Sequence, residues 1–197
     1  MIIANQLIKT NRAEYLLYMW QVEDILRLYA CNVDVIEREY LSRFKVPAET
    51  MAEMREWYAN LCDMMRAEGK TERGHLQINE NVVIGLADLN AQLLASEKFP
   101  YFKQMYYKVL PYVVQLRAKR AQEQAKTPAA EGVPAAENEE ADELRQLFEV
   151  LYGVMLLRLQ QKPISDETAL AAKDITAFLG QLSDYWKADK AGELKLD

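Results

Sequence analysis

The sixteen residues from Glu14 to Tyr29, EYLLYMWQVEDILRLY, constrain the fold of this chain more than any other stretch. From Tyr15 to Tyr29, eleven of fifteen are apolar or aromatic, and they do not keep to one face. At ~100° per residue a surface helix leaves a clean polar side. This stretch does not, which predicts a helix surrounded by neighbours that the rest of the chain must supply.

The few polar residues in this stretch are the first candidates for a site. Glu14, Gln21 and Asp24 fall within about 80° of one another on a helical wheel. Glu23 and Arg27 lie on another side, with the i,i+4 spacing and acid-first order that favour an intrahelical ion pair. Buried, such groups need partners, because an unpaired charge in the interior costs several kcal/mol. One reading is a polar ligand pocket of Glu14, Tyr18, Gln21, Glu23, Asp24 and Arg27, walled by Tyr15 and Trp20. The other is a satisfied polar network, or one wet strip between neighbouring helices. Structural ion-pair networks are common, and the second reading is favoured.

Composition fixes the class. Seven glycines and six prolines are few for 197 residues, half of which are hydrophobic. Ala, Leu, Glu, Lys, Gln and Met, which lose least on entering a helix, are plentiful. An all-α fold follows, expected as a single domain of about seven helices with two very hydrophobic central ones. A net charge of −6 argues against a general nucleic-acid binder, which needs a basic field. The N-terminus has no basic region leading into an apolar one, so no signal peptide is expected. No apolar run reaches the ~18 residues of a spanning helix. Two cysteines, Cys31 and Cys62, do not make a disulfide framework. A cytoplasmic protein without membrane contact is the expectation.

In chain order, residues 1–10 form a mixed lead-in that can make a short helix of its own. Asn11 and Glu14 have capping-box spacing, so the first long helix should start near Arg12 and end near Cys31-Asn32. A second helix is predicted from Asp34 to Phe44, closed by Pro47. The third runs from Ala48 to Glu68, with Gly69 as its stop. Its stripe of Met51, Met54, Tyr58, Leu61 and Met65 can be a plastic partner groove or ordinary core, and core is favoured. The fourth spans His75–Asn79 to Leu94. The fifth opens at Phe99-Pro100 and continues to about Gln124, with Pro111 removing one backbone bond at the Tyr107 carbonyl. Residues 126–140, KTPAAEGVPAAENEE, read as a flexible linker. The sixth helix, Ala141 to Gln161, is apolar on nearly every side and must dock on the preceding helices or on another subunit. The seventh, capped by Ser165, should expose Lys173, Asp174, Gln181 and Asp184. Residues 192–197 should fray.

The sequence carries no recognisable reaction chemistry. A di-iron bundle needs two Glu-x-x-His pairs, and this chain has one histidine. Cys31, Cys62 and His75 are too separated in sequence to suggest zinc. A Cys62–His75 pair would need the two in contact, and Cys62 lies one residue from a buried stripe. No phosphate-binding loop, dinucleotide fingerprint or nucleophile elbow is present. No catalytic residue, metal or cofactor is assigned. Between Lys98 and Arg120 there are six basic residues and no acidic one, interleaved with six aromatics. Such a pattern can hold a single strand. Glu131, Glu137, Glu139, Glu140, Asp142 and Glu143 can instead lie against it, and that internal explanation is favoured.

Two segments, Ala13–Asp24 (AEYLLYMWQVED) and Gly74–Asn79 (GHLQIN), resemble a bacterial family known only as a domain of unknown function. The resemblance covers most of the chain and implies a cytoplasmic bacterial protein, with no catalytic residue, cofactor or partner to carry over.

The function expected on these grounds is non-catalytic: a helical interaction or scaffolding protein, self-associating or bound to another protein, that uses surplus apolar surface on helices such as the third and the sixth. The competing expectation is an enzyme or small-ligand binder using the carboxylate and tyrosine groups of the first long helix. The third is nucleic-acid binding through residues 98–120.

Overall fold

Asn11, Asn32 and Ser165 cap three of the helix starts through their side chains. The computed structural model describes residues 1–126 and 139–196, and among these every regular element is helical. The lead-in is a helix in its own right, α1 (Ile2–Thr10). Asn11 then caps α2 (Arg12–Leu28), its side-chain oxygen accepting from the Glu14 N–H at 3.2 Å. Asn32 caps α3 (Val33–Glu39), and a single 3-10 turn (Leu41–Arg43) follows. The helix expected from Asp34 to Phe44 is therefore two short pieces. Next come α4 (Ala48–Ala67), α5 (Gln77–Ala95), α6 (Pro100–Lys126), α7 (Glu139–Leu159) and α8 (Asp166–Lys190). The described residues thus hold eight α-helices, one more than the seven expected, because α1 stands alone. Most of the linker expected at 126–140 lies outside the described residues, although Lys126 still belongs to α6 and Glu139 already opens α7.

The chain divides into two compact units, Met1–Val82 and Val83–Asp197, and the boundary falls inside α5. In the first unit α2 packs with α1 and α4, and α3 with α4. Its buried side chains include Leu16, Met19, Trp20, Leu26, Ile36, Tyr58, Leu61 and Met65. The methionine stripe of α4 is thus core at its C-terminal end. Gly69, at a φ of +65°, lets the backbone turn back so that Lys70 N–H reaches the Met65 carbonyl at 2.8 Å. That is the left-handed helix stop glycine favours. At the end of α2 the same geometry is held by Ala30 and Cys31, with φ of 51° and 52°. Two consecutive non-glycine residues in this region store strain.

In the second unit α6, α7 and α8 pack pairwise against one another. Phe102 of α6 stacks on Phe178 of α8 at 5.3 Å, and Tyr185 meets Phe99 and Phe102 edge-on. From α7, Leu144, Leu147, Phe148 and Leu151 are buried, while Leu159 is exposed. Ser165 caps α8 through the Thr168 N–H, as its sequence position predicts. The segment expected to fray is tied down to Leu196. Glu193 N–H reaches the Ala188 carbonyl, and Ser96 Oγ donates to the Leu196 carbonyl at 2.7 Å.

Candidate functional site

The polar groups of α2 separate into a wet strip and one buried node. Glu14 and Asp24 are exposed, Gln21 is half-buried between them, and Leu28 shares their side of the helix. Glu14 closes the helix start, accepting from Asn11 Nδ2 at 2.9 Å. Tyr18 belongs elsewhere: it sits with Tyr40 and Tyr58, and burial followed by Tyr40 raises its pKa. The six candidate residues are therefore not one pocket. Glu23, Asp24 and Arg27 do come together.

Glu23 is fully buried, and both its oxygens are occupied. Oε1 accepts from the Leu76 N–H at 2.9 Å and from Asn79 Nδ2 at 2.7 Å, and Oε2 lies 2.6 Å from His75 Nδ1. The His75 ring stacks on Trp20 at 4.0 Å between centroids, with 11° between planes. Arg27 approaches Glu23 only to 3.9 Å. Its nearer partners are Asp24 Oδ1 at 3.0 Å and the carbonyls of Lys70 and Gly74. The expected i,i+4 ion pair is thus the weaker arm of a node. That node pins the 70–79 segment onto α2 and supplies one acceptor for the first turn of α5.

His75 and Asn79 were not legible as partners of Glu23, since each lies more than fifty positions away. The two cysteines, distant in sequence, also meet. Both are buried, and burial, then the neighbouring Cys31 thiol, push the Cys62 thiol up to about 11. A thiol with so little thiolate at neutral pH is a poor nucleophile. Cys62 faces Cys31, whereas His75 faces Trp20 and Glu23. Among the described residues there is no group of three or more His, Cys, Asp or Glu arranged to hold a metal ion.

A second cluster lies in the α6–α8 pair. Asp174, expected on the exposed side of α8, is instead buried. Lys108 Nζ donates to its Oδ1 at 2.7 Å and the Tyr112 hydroxyl to its Oδ2 at 3.1 Å. The hydrogen bond from Lys108, more than that from Tyr112, holds the Asp174 carboxyl below its ordinary value of 3.8. A depressed carboxylate adds stability that is present above its unfolded value and lost as pH falls through the folded one. Asp174→Asn should therefore flatten the acid limb of a stability–pH profile, from around pH 4 downward. Urea titrations at several pH values check this. Equal slopes for the two proteins would show that the aspartate does not couple to folding.

Arg117 reaches Asp142 at 3.1 Å, with Glu139 and Glu143 at 3.9 Å, and the Tyr106 hydroxyl donates to Glu143 at 2.8 Å. Several charges and hydroxyls of the basic-aromatic stretch are thus engaged internally by α7 and α8. Glu131 and Glu137 lie outside the described residues.

A family model described as Domain of unknown function (DUF4924) matches residues 1–131 and 125–193. No curated protein and no solved structure matches the chain.

Proposed function

The chain belongs to the DUF4924 family, whose description carries no activity, and we propose that it is a non-catalytic helical interaction protein that associates with a second copy of itself. The observation that carries this reading is the outer face of α6. Tyr107 and Val114 are 64% and 59% exposed, and Pro111 and Ala118 are exposed on the same side. Their 4-3-4 spacing makes one uncharged stripe opposite the buried Phe102, Val109 and Val113. Isolated exposed apolar residues are ordinary, whereas a continuous stripe marks a contact surface.

The stripe is also self-complementary. In an antiparallel pair about the Leu110–Pro111 midpoint, Tyr107 of one copy meets Val114 of the other, large against small, twice by symmetry. The helix dipoles then oppose favourably. The ligand-binding alternative has less in its favour, because the buried Glu23 that would anchor a ligand already accepts from three groups of its own chain.

The reading is of a cytoplasmic bacterial protein. It accords with two buried free cysteines and with the absence, among the described residues, of a helix long and apolar enough to cross a membrane.

Light scattering across a concentration series tests the proposal. The full chain should pass from monomer to dimer. Val114→Glu, on an exposed position that leaves folding intact, should weaken association about 100-fold or more, since a carboxylate would be desolvated at the contact. A chain that stays monomeric at its highest attainable concentration would exclude self-association.

A further inference from the structure

The Asp174 cluster floors an open cleft of about 250 Å³ lined by Tyr101, Gln104, Met105, Lys108, Asp174 and Ala177. The two charges in it are unequal in mobility. The Asp174 side chain is 9% exposed and is fixed from below by the Tyr112 hydroxyl, whereas that of Lys108 is 63% exposed on a flexible stem. Holding the long, solvated lysine stem in one geometry costs rotamer freedom, whereas the short, buried carboxylate has little to lose. The carboxylate is therefore a preset acceptor, and the lysine is a loosely held occupant.

Around that acceptor stand groups suited to a cation. Tyr101 presents a ring that is 65% exposed at the cleft, and aromatic faces attract ammonium and guanidinium groups. Met105 adds a soft apolar wall and Gln104 a neutral polar one. The cleft is somewhat smaller than those that hold drug-sized ligands, which limits the guest to a small molecule. Lys108 itself shows that an alkylammonium fits, with Nζ 2.7 Å from Asp174 Oδ1.

We propose that this cleft is a binding site for a small organic cation, a primary alkylamine, whose ammonium takes the place of Lys108 on Asp174 while its chain lies against Tyr101 and Met105. Lys108 is then an internal competitor that swings into solvent when the guest enters. The site does not involve the outer stripe of α6 and does not depend on self-association.

Calorimetric titration of the full chain with 1,4-diaminobutane tests this, with 1,4-butanediol as the neutral control. The diamine should bind and the diol should not. Lys108→Met removes the competitor while the Tyr112 hydroxyl still donates to Asp174; circular dichroism checks that the variant folds, and diamine binding should tighten roughly two- to five-fold. Asp174→Asn should weaken it at least ten-fold. Amide shifts of Tyr101 and Met105 should follow the same isotherm. Equal binding of diamine and diol, or undiminished affinity in Asp174→Asn, would overturn the proposal. So would an unchanged or weakened affinity in Lys108→Met, since nonspecific attraction to an acidic protein does not single out one carboxylate.

Discussion

Trp20→Ala is expected to cost roughly 3–5 kcal/mol of folding stability, the range for truncating a large aromatic in a packed core. Trp20 is 1% exposed, and one face of its indole is covered by the His75 imidazole at 4.0 Å. The substitution removes the apolar area the indole buries, and it also leaves His75 without the surface that fixes its ring plane. That plane directs Nδ1 at Glu23. The loss should therefore spread to the 70–79 segment, with faster amide exchange at Leu76 and Asn79 than in the parent chain. Trp20→Phe keeps an aromatic face and should recover more than half of the lost stability. Because the chain has two compact units, a single melting midpoint is an insufficient readout. Residue-resolved exchange or denaturant unfolding followed in the first unit is needed. An unaltered unfolding midpoint in that unit would mean that Trp20 is not a core residue.

The prominence of Trp20 was legible in the sequence, and so was most of the helical layout. Apolar spacing and caps at Asn11, Gly69, Pro100 and Ser165 located the long helices to within a few residues, because those signals act within one or two turns. The short pieces were harder. From Asp34 to Phe44 the pattern reads as one helix, yet the chain breaks at Tyr40, whose ring meets Phe44 at 5.3 Å and Tyr58 at 6.0 Å. Packing of aromatics from another helix is invisible to local periodicity. The site residues show the same division. Glu23 stood out as a charge on a hydrophobic helix, but its partners His75 and Asn79 come from a segment whose docking no spacing rule encodes. Asp174 falls on the wet side of α8 when its own helix alone sets the pattern. Lys108 and Tyr112, one turn apart on α6, are what make its burial tolerable.

Glu23→Ala should be as damaging as the tryptophan truncation, for a different reason. Removing one partner of a buried charged node typically costs 3–5 kcal/mol, because the groups left behind keep their desolvation penalty. Here the His75 Nδ1, the Leu76 N–H and the Asn79 amide would all lose their acceptor. The Asn79 side-chain oxygen is already buried without a hydrogen-bond partner, so this residue would be stranded at both ends. Glu23→Gln separates charge from hydrogen bonding. Its amide oxygen can still accept from Leu76 and Asn79, while its NH2 can donate to His75 Nδ1 if the imidazole carries its proton on Nε2. The glutamine variant should then lose only about 1–3 kcal/mol, the scale of imperfectly matched buried hydrogen bonds. Its His75 ring nitrogens should report the Nε2–H tautomer by NMR. Denaturant unfolding of the two variants beside the parent decides the matter. If alanine and glutamine cost the same, the oxygens of Glu23 are not what hold the 70–79 segment to α2, and volume alone explains the node. If glutamine is clearly the milder change and the tautomer is as stated, this carboxylate acts as a structural clasp, with both oxygens committed to its own chain rather than to a ligand.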